Sequence, residues 1–165
     1  MTDREVTRVR DAIDGVLAAA RGGDENITLD RLERLIRMSE DSIHSAVWEL
    51  ASADVQMLRT LTGPEMSDDG RPVKFELRDT GGQAVSVDEL DPPLRSAVRT
   101  VLALAHGRDD DAHRQLDIVD QLGEPADTGA VLVQMLAWTL ELLGGCEQAD
   151  RPAPHWLRPV LSTDD

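Results

Sequence analysis

Residues 127–143 read DTGAVLVQMLAWTLELL. At helical spacing Gln134 and Glu141 share one narrow side, and nearly every other direction is apolar. A helix that is apolar on most sides is buried on most sides. This stretch therefore needs a shell around it. Two arrangements supply one. It is the central helix of the whole protein, or it is covered by a second copy, with Leu132, Met135, Leu136, Leu140 and Leu143 at a homodimer interface. No stretch approaches the ~20 uncharged apolar residues of a membrane helix, so no membrane partner is expected.

The rest of the chain has to build that shell from 165 residues, the size of one ordinary domain. The N-terminal MTDREVTRVR has no apolar segment of the secretory kind. Cys146 is the single cysteine, which excludes an internal disulfide and a multi-cysteine zinc module, and suits a reducing cytoplasm.

Upstream, Val6, Val9, Ile13, Val16, Leu17 and Ala20 recur at helical spacing over 3–21, and Gly22-Gly23 ends the run. Asn26-Ile27-Thr28 fits a very short strand. A second helix is predicted over 29–38, with Leu32, Leu35 and Ile36 inward. Ser39 is placed to cap a third, with Glu40 and Asp41 in its first turn, where the helix dipole favours acid. That helix is predicted to end near Ala53, with Ile43, Ala46, Val47 and Leu50 as its apolar face. Two strand-like runs follow, Val55–Thr62 and the alternating Val73–Leu77, joined by the turn-rich GPEMSDDGR.

Three helices followed by a hairpin resemble, in element order over residues 3–80, the winged helix-turn-helix superfamily. The resemblance implies that the third helix (40–53) and the wing (62–73) are the usual DNA-contacting parts. It equally admits a protein-interaction module.

The formal net charge is −15, from 17 basic against 32 acidic residues. Such a surface repels phosphate. Asp outnumbers Glu and Lys74 is the only lysine, a bias that also fits salt adaptation or a GC-rich genome. The local pattern is more telling. Spacing residues 100° apart groups Asp41, Ser45, Trp48 and Ser52 on the outward stripe of the third helix. A DNA reader presents Arg, Lys, Asn or Gln there, and none occurs between Ser39 and Val55. The aromatic Trp48 points to a buried contact, with a partner or with helices of the same chain. Nucleic acid is therefore disfavoured. If DNA is bound, Arg31, Arg34, Arg37, Arg59, Arg71 and Lys74 are the candidates, as phosphate contacts only.

The second half is predicted to be helical. Residues 81–86 serve as a linker, and 87–146 hold three helices opened by Asp91-Pro92-Pro93, by Asp109 or Asp110, and near residue 127. The tail 147–165 contains Pro152, Pro154 and Pro159, which oppose a regular helix. Its Trp156 and Leu157 are expected to lie back on the domain or dock on a partner.

Nothing in the chain assembles a catalytic constellation. Ser39, Asp41 and His44 lack the elbow that surrounds a nucleophilic serine. HGRDDDAH (106–113) matches no ligand spacing. There is no phosphate-binding glycine loop. The fold expectation is mostly α with one β-hairpin, a winged-helix-like module (1–80) followed by a small helical unit. The functional expectation is a non-enzymatic regulatory or adaptor protein without cofactor or metal, bound to a protein partner through Asp41, Ser45, Trp48, Ser52, Trp156 and Leu157. The alternative is a DNA-binding transcriptional regulator.

Overall fold

In the computed structural model, which describes residues 2–63, 76–78, 81–122 and 125–162, the chain is mostly helical with one two-stranded antiparallel sheet. Helix α1 spans Asp3–Arg21 and buries Val9, Ile13, Val16 and Leu17, one apolar face. Helix α2 spans Glu25–Ile36, starting earlier than its periodicity suggests. The cause is Asp24, whose Oδ1 accepts the backbone N–H of Ile27 at 3.0 Å and so caps the helix. Asn26-Ile27-Thr28 is thus the first helical turn and no strand.

Ser39 caps helix α3, its Oγ accepting the N–H of Ser42 at 3.3 Å. Helix α3 runs Glu40–Thr62, well past Ala53. The strand expected at Val55–Thr62 is overturned. No glycine or proline interrupts the chain between Ser39 and Gly63. Gln56, Met57, Leu58, Arg59 and Leu61 are good helix formers, and Leu50, Met57 and Leu61 continue the inward face. The helix ends at Gly63, whose φ of 75° favours glycine.

The hairpin lies downstream of its expected place: β1 (Leu77–Arg78) pairs with β2 (Ala84–Val85), Leu77 opposite Val85 and Arg78 opposite Ala84. The segment 81–86 thus carries a strand and its turn. A 3-10 turn at Val87–Glu89 leads into α4 (Pro92–Ala105), with proline in the first turn. Helix α5 (Asp109–Leu122) has three aspartates in its first turn.

Helix α6 spans Pro125–Gln148, extending the predicted 127–143 at both ends. At that length it is apolar enough, by composition, to cross a membrane, which corrects the expectation on length. In this fold Val131, Leu132, Met135, Leu143 and Cys146 are buried among the chain's other helices. The most extensive helix contact is α3 against α6, so segments 1–80 and 87–146 share one core.

The tail returns to this core. Its prolines permit a 3-10 turn (His155–Leu157) and a one-turn helix α7 (Arg158–Leu161), because Pro159 sits in the first turn, where no N–H is needed. This corrects the expectation of no helix there. Helix α7 rests on α1, with Leu157 and Val160 fully buried. Arg10 of α1 pairs with Glu49 at 2.8 Å, and its guanidinium lies 5.4 Å from the centre of the Trp156 ring.

Candidate functional site

Once α3 is continuous, Asp54 falls on its apolar face, among Leu50, Met57, Leu58 and Leu61. It is 1% exposed. Asp54 lines a cavity of about 360 Å³, within the range of small-ligand pockets. From α3 come Asp54, Leu58 and Leu61; from α4, Val98, Val101 and Leu102. Helix α6 adds Trp138, Glu141, Leu142 and Gly145, and β1 adds Leu77. The lining is overwhelmingly apolar.

Asp54 is tied down on one side only. Thr139 Oγ1, on α6, donates to Asp54 Oδ1 at 2.7 Å, and the same oxygen lies 2.9 Å from the Met135 carbonyl. Among the described residues Asp54 Oδ2 is buried and has no hydrogen-bond partner. Burial pushes the Asp54 carboxyl up to about 7, while the Thr139 hydroxyl pulls it down by less. Cys146, also on α6, is buried, and burial pushes its thiol up, away from the nucleophilic thiolate.

The residues expected to bind a protein partner lie elsewhere. Asp41 is exposed, Ser45 is buried and donates to the Asp41 carbonyl at 2.7 Å, and Ser52 is half-buried. Trp48 is half-buried and stacked on His113 of α5, so the contact it makes is within the chain. Trp156 is half-buried and Leu157 fully buried. The dimer candidates Leu132, Met135, Leu136 and Leu143 are no more than 5% exposed and belong to the chain's own core; Leu140 is half-buried against it. Exposure to a second copy is therefore corrected for the first four. The central-helix arrangement accounts for them.

The candidate DNA contacts are engaged locally. Arg31 Nη1 donates to the Gly15 carbonyl, and Arg59 Nη2 to the Ala105 carbonyl at 3.1 Å. Arg34 pairs with Asp30 at 2.8 Å and Arg37 with Glu33 at 3.0 Å, all on the exposed side of α2. Arg71 and Lys74, with most of the expected wing and of the strand Val73–Leu77, lie outside the described residues. Among the described residues no group of three or more His, Cys, Asp or Glu is placed to hold a metal.

The chain matches no family model, no curated protein and no solved structure.

Sequence reasoning missed the cavity because it broke α3 at Ala53. The signal was present: one acid at helical spacing within an apolar face.

Proposed function

We propose that this chain is a non-enzymatic regulatory protein that acts by taking an apolar small molecule into the cavity between α3, α4 and α6. The observation that carries the reading is the lining itself, apolar on three helices and furnished with one buried carboxyl. Few convergent polar groups in an apolar enclosure is the usual composition of a ligand site. Because α3 and α6 also form the main seam of the core, occupancy is expected to stabilise the fold. The experiment is titration with the neutral dye Nile red. Saturable one-to-one binding is expected, lost in Gly145→Leu, whose side chain enters the cavity, with helix content retained. Equal binding by wild type and variant, or none by wild type, overturns the reading. Leu102→Trp is the substitute filling variant should Gly145→Leu fail to fold.

A second reading, as an adaptor for a protein partner, is favoured by α2. Leu29 and Ile36, two turns apart on one side, are 58% and 38% exposed. Leu29→Asp with Ile36→Asp is expected to abolish capture of that partner without lowering the melting temperature. The winged-helix resemblance, in its DNA-binding form, rests on exposed Arg34 and Arg37. Absence of retardation of mixed DNA at low salt counts against it.

A further inference from the structure

We propose that the cavity selects an amphipathic amine, its hydrocarbon body against Leu58, Val101 and Trp138 and its ammonium group on Asp54 Oδ2. This inference rests on the ligand-binding reading above and names the ligand class.

The first argument is the hydrogen bonding of Asp54. Thr139 has one hydroxyl proton and two acceptors within reach, Asp54 Oδ1 and the Met135 carbonyl. When Asp54 is ionised, Thr139 donates to Oδ1, and Oδ2 is an anionic acceptor. When Asp54 is neutral with its proton on Oδ1, that proton serves Thr139 Oγ1, the Thr139 proton serves Met135, and Oδ2 is a carbonyl oxygen. A proton on Oδ2 instead would itself have no acceptor, which makes that arrangement the poorest. In both favourable arrangements Oδ2 is an acceptor without a donor among the described residues, and a buried group of that kind favours a ligand that supplies one.

The second argument is charge. Among the described residues, Asp54 and Glu141 are the ionisable ones in the lining, and both are acids. Among the described residues, the surrounding elements add no cation to it. Arg59 on α3 donates to the Ala105 carbonyl, and Arg95 on α4 gives its Nη2 to the Leu90 carbonyl. Arg78 on β1 pairs with Glu76 at 2.8 Å, and Cys146 on α6 is held as a thiol. A carboxylate or phosphate entering here meets two acids. A neutral alcohol satisfies Oδ2 but forms no ion pair. An ammonium does both, at a buried carboxyl beside an apolar lining, where a charged hydrogen bond is stronger than in water.

Binding is then linked to a proton. Below neutrality Asp54 is largely in its acid form, held there by burial. An incoming ammonium displaces that proton to the buffer and leaves a carboxylate–ammonium pair. Affinity therefore rises as pH goes from 6 to 8, and at pH 6 close to one proton is released per ligand.

The test is calorimetric titration of the full chain with n-octylamine, n-octanol and n-octanoate, at pH 6 and pH 8, in two buffers of different ionisation enthalpy. Octylamine is expected to bind at least about tenfold tighter than octanol at pH 8, and octanoate weakest. Asp54→Asn is expected to shrink the amine preference to about twofold or less. The proton count on wild-type protein needs no variant, so a folding defect in Asp54→Asn leaves the test intact. Equal binding of amine and alcohol, a preference for octanoate, or release of no proton at pH 6 overturns the inference. If octanol binds and Gly145→Leu abolishes it while the amine gains nothing, the amine proposal falls and the ligand-binding reading stands. If none of the three binds, both fall.

Discussion

Trp48 of α3 and His113 of α5 lie ring on ring, 3.7 Å between centroids and 3° from parallel. The ring of His44, one turn before Trp48, lies 6.1 Å from that of His113 and 11° from parallel. The stripe that sequence periodicity turns toward a DNA groove is therefore partly covered from within the chain, by α5 at Trp48. Aromatic stacking adds to the area an aromatic buries. Trp48→Ala is expected to cost about 2–3 kcal/mol, less than a fully buried tryptophan. His113→Ala is expected to cost about 1 kcal/mol, and the double variant to fall short of the sum by about 0.5–1 kcal/mol. Urea unfolding of the four proteins measures all three. Strict additivity would mean that the rings touch without holding each other.

Asp54 makes stability depend on pH in a direction opposite to that of a salt-bridged carboxylate. Its folded value, about 7, lies above the ordinary 3.8, so the native state binds its proton more tightly than the unfolded chain does. The native state is favoured fully only below the unfolded value. Stability then falls as pH rises from about 4 to about 7, by roughly 4 kcal/mol in all. The net charge of −15 pushes the same way through self-repulsion, so the slope of wild type alone is ambiguous. Asp54→Asn separates the two. It keeps shape and hydrogen bonding but cannot ionise, and its unfolding free energy is expected to be flatter over pH 4–7 than that of wild type. Parallel profiles would show that Asp54 ionises in the fold without penalty.

What was legible in the sequence follows from which signals are local. The apolar wrap of residues 127–143 indicated a helix buried on most sides; Leu132 and Met135 are fully buried, but Ala130, Val133, Ala137 and Glu141 form an exposed side, so the burial is less complete than the pattern suggests. The one-sided spacing of Val9, Ile13 and Leu17 indicated α1, and Ser39 marked the start of α3. The run Val55–Thr62 misled because a short apolar stretch reads equally as strand or helix. The missing punctuation decides it, since no Gly or Pro lies between Ser39 and Gly63. That one break also hid the site. With α3 cut at Ala53, Asp54 looked like a residue between elements, and only on a continuous helix does it stand among Leu50, Met57 and Leu61. Thr139 was not legible as its partner, because nothing local reports which helix faces which across 85 residues.

The placement of Leu132 and Leu143 separates a core helix from an interface helix. Both are fully buried within one chain, and truncating a buried leucine removes its transfer energy and leaves a cavity. Leu132→Ala and Leu143→Ala are each expected to destabilise by about 2–5 kcal/mol. Neither is expected to change the sedimentation coefficient of the protein that remains folded. A loss of oligomer with little loss of stability would place these residues at an interface.

The adjacent glycines of α6 are expected to respond differently to the same substitution. A Cβ at Gly144 meets nothing within 4 Å, whereas one at Gly145 lies 3.4 Å from Leu61 Cδ1 in the cavity wall. In a helix interior, alanine restricts the unfolded chain more than glycine does, by about 0.5–1 kcal/mol. Gly144→Ala gains this freely, and its melting temperature is expected to rise by about 2–4 °C with Nile red binding unchanged. Gly145→Ala gains the same helix propensity and meets Leu61 at ordinary van der Waals distance, but it narrows the cavity, so it is expected to gain similar stability and to bind the dye more weakly. Thermal unfolding and dye titration of the two variants side by side check this. If Gly145→Ala binds as well as wild type while Gly144→Ala does not, the cavity wall lies on the wrong side of the helix.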